Sequence, residues 1–266
     1  MSASPTILVF DSGLGGLTVY REVVRARPDA AFVYAADDAF FPYGGRDEAE
    51  LVAWIVGVME RLIEAHRPDL VVIACNAAST AVLPPLRARF KVPFVGTVPA
   101  IKPACASSVS RMVSVLGTPG TVQREYTRAL IRDFADGCAV TLVGAPRLAI
   151  LAEAELRGEP GADAEILTEV APCFVEHNGA RTDTVVLACT HYPLLLERLE
   201  RLARWPVTFI DPAPAIARRV VELLGPATGR TAPPTRMVFS SGKGPPPPLR
   251  AALERFGITE FAGVTA

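Results

Sequence analysis

The sequence predicts an α/β protein made of two similar parallel-sheet domains, related by a pseudo-twofold axis, with the active site in the cleft between them. Two observations carry this. Short apolar runs alternate with helix-length segments, the pattern of βαβ units feeding a parallel sheet. The chain also repeats itself. Arg67-Pro68-Asp69-Leu70-Val71-Val72-Ile73-Ala74-Cys75-Asn76 matches Arg181-Thr182-Asp183-Thr184-Val185-Val186-Leu187-Ala188-Cys189-Thr190 at six of ten positions. A weaker echo sets Val9-Phe10-Asp11-Ser12-Gly13 against Val115-Leu116-Gly117-Thr118-Pro119-Gly120, each a strand, a small polar turn and a helix. A length of 266 residues accommodates two small domains.

The elements follow in order. Thr6 to Phe10 reads as a buried strand, followed by a glycine-rich turn and a helix through Val23. Ala31 to Ala35 is a second strand. Asp47 to His66 is an amphipathic helix, with Leu51, Ile55, Val58, Met59, Leu62 and Ile63 on one stripe. Leu70 to Ala74 is a third, β-branched strand. Pro93, Pro99 and Pro103 interrupt regular structure and place a boundary near Val95 to Pro103. Val207 to Ile210 reads as a strand, and Ala213 to Leu224 as a helix stopped by Gly225-Pro226. Gly242 to Pro248 reads as a stiff proline-rich surface turn. The expected division is residues 1–97 with 209–266 in the first domain and 98–208 in the second.

Composition narrows the function. Half the residues are apolar and 21% are charged, as in a globular protein with a sizeable core. The 27 basic and 28 acidic residues nearly cancel, which argues against a nucleic-acid or membrane-surface partner. The start, Met1-Ser2-Ala3-Ser4-Pro5, lacks a basic leader, and Ile7 to Phe10 is too short for a signal sequence. The uncharged stretch Leu70 to Leu86 contains Asn76, Ser79, Thr80, Pro84 and Pro85 and so reads as no membrane span. The expected location is the cytoplasm. Cys75, Cys105, Cys138, Cys173 and Cys189 make an odd count with no CxxC spacing, which fits neither a disulfide framework nor a zinc site. No metal is expected, and any cysteine with a task works as a thiol.

A cysteine ending an apolar strand is ordinarily an inert core residue. The repeat alters that for Cys75 and Cys189, because two thiols at matching strand ends would face one cleft from opposite domains. Such a pair could act as a disulfide switch, as a nucleophile with a helper, or as two bases moving a proton on and off one carbon. The last chemistry inverts a stereocentre and needs one thiolate and one thiol. The neighbours suit it. Asn76 and Thr190 follow the thiols and could hold a carboxylate or ammonium group. His191 could donate to a thiolate or serve as an acid. Asp11-Ser12-Gly13-Leu14-Gly15-Gly16 lets backbone N–H groups approach an anion at a helix start. Asp11 could pair with an ammonium group, or simply cap the turn. Pro42-Tyr43-Gly44-Gly45 is an aromatic-bearing turn. Pyridoxal phosphate, the common racemisation cofactor, needs a lysine. Lys91, Lys102 and Lys243 all lie away from strand ends, so no cofactor is expected.

The sequence resembles the glutamate racemases of the aspartate/glutamate racemase superfamily over nearly its whole length. The stretches are Phe10 to Leu17, Pro42-Tyr43-Gly44, Ala74-Cys75-Asn76-Ala77-Ala78-Ser79-Thr80, Val98 to Pro103, Leu116 to Val122 and Cys189-Thr190-His191-Tyr192-Pro193-Leu194-Leu195. The resemblance implies interconversion of L- and D-glutamate without a cofactor, supplying D-glutamate for peptidoglycan. It implies Cys75 and Cys189 as acid/base thiols, the first acting on D-glutamate and the second on L-glutamate. It implies Asp11, Ser12, Tyr43, Gly44, Asn76, Ala77, Thr190 and His191 as substrate contacts, with Pro42 in support. Asp11 and His191 would also tune the thiols. The resemblance sets a family glutamate at Glu153, after Pro146 and the apolar Leu148 to Leu151. Ala77 departs from the family pattern, in which a threonine follows the Cys-Asn pair. It keeps the backbone N–H and loses a hydroxyl, about 0.5–1.5 kcal/mol of substrate binding. Two rivals stand beside this reading: a racemase for aspartate or another small acid, and a non-catalytic two-lobed binder of small acids, which would not need both cysteines. A thiol redox enzyme is disfavoured by the lack of a CxxC. A homodimer is the default expectation, and Val98 to Pro103 hints at regulation by a peptidoglycan precursor.

Overall fold

Strand β1 (Thr6–Asp11) is buried over its last five residues, and alternate side chains face opposite cores. Ile7 and Val9 enter one apolar cluster while Leu8 and Phe10 enter another, as expected where helices cover both faces of a parallel sheet. The computed structural model describes residues 4–229 and 231–263.

The chain continues through α1 (Leu17–Ala26), β2 (Ala31–Ala36), α2 (Glu48–His66), β3 (Leu70–Ile73), α3 (Asn76–Arg89) and β4 (Phe94–Gly96). Helix α2 forms where its sequence stripe predicts, burying Leu51, Ile55, Val58, Met59 and Leu62. Asp47 is its N-cap, its carboxylate accepting from the Ala49 and Glu50 N–H groups at 2.9 and 3.1 Å. The second lobe follows: α4 (Ile101–Ser107), β5 (Met112–Gly117), α5 (Pro119–Gln123), α6 (Glu125–Phe134), β6 (Ala139–Gly144), α7 (Leu148–Leu156), α8 (Asp163–Val170), the hairpin β7 (Glu176–His177) and β8 (Ala180–Arg181), β9 (Thr184–Ala188), α9 (Leu196–Leu202) and β10 (Thr208–Ile210). The tail adds α10 (Ala213–Leu224), β11 (Thr235–Phe239), α11 (Pro247–Glu254) and β12 (Ile258–Gly263).

The strands form two parallel sheets, ordered β12-β11-β2-β1-β3-β4 and β10-β9-β5-β6. Reversed, the second reads β6-β5-β9-β10, which matches β2-β1-β3-β4 strand for strand. The repeat in the sequence is therefore a repeat of topology. It holds in register too: Phe10 pairs with Ile73, and Leu116 with Leu187. Each cysteine stands two residues beyond the second member of its pair.

Three expectations shift. A break between 208 and 209 would cut β10, which pairs with β9 in the second sheet. The return to the first lobe comes at Asp211-Pro212, and Ala213, Ile216, Ala217 and Val220 of α10 then join its core. Pro103 does not interrupt structure; it sits in the first turn of α4, where its missing N–H would have no intrahelical partner. The proline-rich turn ends early, because Pro247 and Pro248 open α11.

One buried ion pair ties the first lobe to its tail. Arg27 donates to both Asp29 carboxylate oxygens at 2.9 and 3.1 Å, with side chains 2% and 0% exposed. The Thr228 backbone N–H and hydroxyl complete the carboxylate, and Arg27 also donates to the Gly225 carbonyl. Arg27 holds the Asp29 carboxyl well below the usual range, so its stabilisation is present above the ordinary value of 3.8 and is lost only as pH falls through the folded value. Asp29→Ala orphans a buried guanidinium and is expected to cost about 3–5 kcal/mol in denaturant unfolding. A loss below about 1 kcal/mol, the range of exposed pairs, would show that solvent relieves the charge.

Candidate active site

Both cysteines are placed by the same device. Cys75 leaves β3 in an extended conformation and stands at the N-cap of α3, its carbonyl accepting from the Ser79 N–H at 2.8 Å. Cys189 leaves β9, and the chain turns through His191 into a 3₁₀ turn at Tyr192–Leu195. The two side chains line one narrow cleft with Ser12, Phe41, Pro42, Tyr43, Gly44, Ala77, Thr118, Ala149 and His191. Cys75 and Cys189 are 5% and 7% exposed, so bulk water is largely excluded from both sulfurs.

The glycine-rich turn after β1 proves to hold an anion of the chain itself. The Leu14 N–H donates to Glu153 Oε1 at 2.9 Å, across the cleft from α7. The Gly15 N–H lies 3.2 Å from His191 Nε2, and the Gly13 N–H donates to Asp11 Oδ2 at 2.9 Å. These glycines are required by proximity. A Cβ on Gly13 would lie 2.1 Å from Glu153 Oε1, and one on Gly15 2.3 Å from the His191 ring. The sequence anticipated an anion at this helix start but not that Glu153 supplies it.

Glu153, His191 and Cys189 form a line. Glu153 Oε1 lies 3.0 Å from His191 Nε2, and His191 Nδ1 lies 3.8 Å from Cys189 Sγ. Burial alone would lower the imidazole; the Cys189 thiol and the Glu153 carboxylate outweigh it and hold His191 well above its ordinary value. Burial would raise Glu153, but His191, the Leu14 N–H and Arg157 bring it below its ordinary value. Both shifts favour the charged forms of the pair, and Nδ1 is the ring nitrogen that faces the Cys189 sulfur.

The other side of the cleft differs. Burial first, and then the Asp11 charge, push the Cys75 thiol up to about 12; its nearest polar partner is the Ser12 hydroxyl at 3.6 Å. Cys75 is held toward its thiol form, while Cys189 faces a histidine whose charged form is favoured, so the two sulfurs are electrostatically unequal. Asp11 is itself raised by burial, opposed by His191 and by the Gly16 and Gly13 N–H groups. A raised carboxyl stabilises fully below 3.8, and that contribution is lost as pH rises through the folded value. Asp11→Asn is expected to raise the melting temperature near neutral pH while lowering turnover. A melting temperature that falls there would contradict this assignment.

Asp11 Oδ1, both amide atoms of Asn76 and Thr190 Oγ1 are buried and unpartnered. Buried polar atoms are ordinarily satisfied; Asn76 and Thr190 each directly follow a thiol in the chain and Asp11 acts electrostatically on Cys75, but these three expected substrate contacts do not themselves line the cleft. Tyr43 is different. Its hydroxyl donates to Asp37, which also takes the Trp54 indole N–H at 2.6 Å. Only its ring and backbone are left to face the cleft. Phe41, Thr118 and Ala149 line the cleft and were not anticipated as site residues. The weaker echo could have found Thr118, which stands to Leu116 as Ser12 stands to Phe10. No lysine lines the cleft. Among the described residues, no three His, Cys, Asp or Glu side chains are grouped to hold a metal, and no helix is long and apolar enough to cross a membrane.

Two parallel α/β lobes presenting one thiol each to a desolvated cleft, one thiol backed by a histidine–carboxylate pair, define a two-lobed isomerase of the amino-acid racemase class. The chain belongs to the Asp/Glu/hydantoin racemase family, whose model matches residues 7–220. It is 59% identical over 225 residues to the glutamate racemase of Brucella anthropi, covering 84% of this chain and 81% of that one. The structure of Escherichia coli glutamate racemase in complex with L-glutamate and the activator UDP-MurNAc-Ala superposes with a TM-score of 0.89 at 38% identity, over 98% of each chain. Glutamate racemase isoform RacE1 of Bacillus anthracis superposes at 0.80 with 27% identity, over 98% of this chain and 97% of that one.

Proposed function

We propose that this protein interconverts L- and D-glutamate by two-base proton transfer between Cys189 and Cys75, without a cofactor, and so supplies D-glutamate for peptidoglycan. The observation that carries the reading is the unequal pair of buried thiols in one cleft. On L-glutamate, Cys189 takes the α-proton as a thiolate held by the His191 imidazolium. Cys75, kept protonated by its surroundings, delivers a proton to the opposite face. The sulfurs exchange roles for D-glutamate. Negative charge developing beside the carboxylate is met in a site closed to water, where fixed donors act most strongly.

In this reading Asp11 Oδ1 accepts from the substrate ammonium, and Asn76, Thr190 and Ser12 hold the carboxylates. The backbone at Gly44 and Ala77, and the Tyr43 and Pro42 wall, set the pocket. Support for glutamate comes from the relatives, named glutamate racemases, and from the ligand of the E. coli structure. That structure also holds the activator UDP-MurNAc-Ala. A second cavity of this chain, lined by Val98 to Pro103 and by Pro212, Ala215, Ile216 and Arg219 where the chain crosses between lobes, supports extending such regulation to this protein. A homodimer and a cytoplasmic location belong to the same reading.

The test is turnover of L-glutamate and L-aspartate, without added pyridoxal phosphate, followed by optical rotation. Glutamate is expected to racemise and aspartate to lag well behind. Faster aspartate turnover transfers the reading to the aspartate rival, and no turnover of either leaves only the binding-protein alternative.

A further inference from the structure

The two lobes meet not only at the cysteines. Helix α5 lies across the seam. At its first turn, a Cβ on Gly120 would lie 2.8 Å from the Gly44 carbonyl of the first lobe, and one on Gly44 would lie 2.5 Å from Thr118. Just past its far end, Arg124 links α5 to α6, and its carbonyl accepts the Thr127 and Arg128 N–H groups at 3.1 and 3.2 Å. Its backbone is thus bound into the second lobe, while its side chain leaves that lobe.

The guanidinium crosses to the first lobe and is buried there, at 8% exposure. Nη1 donates to the Ala77 carbonyl and to Thr80 Oγ1, the latter at 2.9 Å, both on α3. Nε faces Glu48 Oε2 at 3.2 Å, but the Glu48 side chain is 60% exposed. An exposed carboxylate in water contributes little. The arginine is held chiefly by the first turn of the helix that Cys75 caps, two residues from the sulfur.

We infer that Arg124 is a positioning residue that latches the lobes over the cleft, gripping the Cys75 end of α3 from the domain that carries Cys189. The inference rests on the racemase reading. In that reading the cleft must open to admit substrate and then close to bring both thiols to one carbon. The latch sets the closed separation, and the planar guanidinium suits it because Nη1 donates to a carbonyl and a hydroxyl of α3 while Nε, on the other limb of the fork, faces Glu48. A lysine in its place offers a point charge on a flexible stem and cannot reproduce that fork.

The experiment is racemisation of glutamate by the wild type, Arg124→Ala, Arg124→Gln and Glu48→Gln, each with its melting temperature, and with ethylguanidinium added back to the alanine variant. Misplacing reacting groups by about 1 Å can cost about 100-fold. Arg124→Ala is therefore expected to keep its fold and lose about 10- to 100-fold in kcat/KM, and ethylguanidinium, but not ethylammonium, restores activity saturably. Glu48→Gln stays within about twofold. A folded Arg124→Ala with wild-type kcat/KM overturns the latch, as does a loss that ethylguanidinium leaves unrestored. If Arg124→Ala fails to fold, Arg124→Gln carries the test with the same expected loss; failure of both to fold makes the residue structural and overturns the latch. A wild type that racemises no glutamate sinks the racemase reading instead.

Discussion

Cys75→Ala and Cys189→Ala are each expected to lower racemisation by about 10³-fold or more, because each removes the thiol that the proposal assigns to its face of the carbon. Their residual chemistry should differ. With Cys189 alone, the α-proton of L-glutamate can leave and return on one face, so Cys75→Ala in D₂O is expected to exchange L-glutamate without inverting it. Cys189→Ala should do the same for D-glutamate only. Both sulfurs are buried in apolar clusters, Cys75 beside Phe10 and Ile73 and Cys189 beside Leu187 and Tyr192, so alanine removes a small side chain and both variants should stay folded. A variant that keeps near-wild-type turnover would remove that cysteine from the reaction.

Glu153→Gln should have the next largest effect, about 100-fold in kcat. Glutamine keeps an acceptor for the Leu14 N–H and removes the charge together with the Oε2 that accepts from Arg157. Without that charge His191 loses the partner that, with Cys189, holds it above 6.5 against burial. It then deprotonates at lower pH, Cys189 loses its Nδ1–H donor, and the alkaline limb of the activity profile moves down. Stability follows the same pair. The raised His191 contributes fully below 6.5, and its share is lost as pH rises through the folded value. The lowered Glu153 contributes fully above 4.5, and its share is lost as pH falls through the folded value. The combined contribution is complete between those two ordinary values, and Glu153→Gln should flatten stability across the alkaline side. An unmoved alkaline limb would mean that Glu153 does not act through His191.

The fold was legible because its causes are local. Each of the buried strands β1, β3 and β9 is a continuous apolar run, and the Val-Val-x-Ala-Cys echo marks two equivalent strands without any knowledge of pairing. The cysteines were legible for the same reason. What escaped the sequence spans long separations. Leu14 meets Glu153 across 139 positions, and Arg124 meets Ala77 across 47. Hydrophobic periodicity reports which face of an element is buried and is silent on which distant polar group its loop will touch. That is why the glycine turn read as a site for an outside anion, and why the return to the first lobe was placed inside β10, whose pairing partner lies outside the segment.

The measurement closest to the central claim is the fate of the α-proton during early turnover of L-glutamate in D₂O. Two thiols acting on opposite faces predict D-glutamate that is deuterated at Cα from the start, because Cys75 delivers a solvent-derived deuteron, while the remaining L-glutamate keeps its protium. D-glutamate that retains the original proton, carried from one face to the other by a single base, would contradict the account.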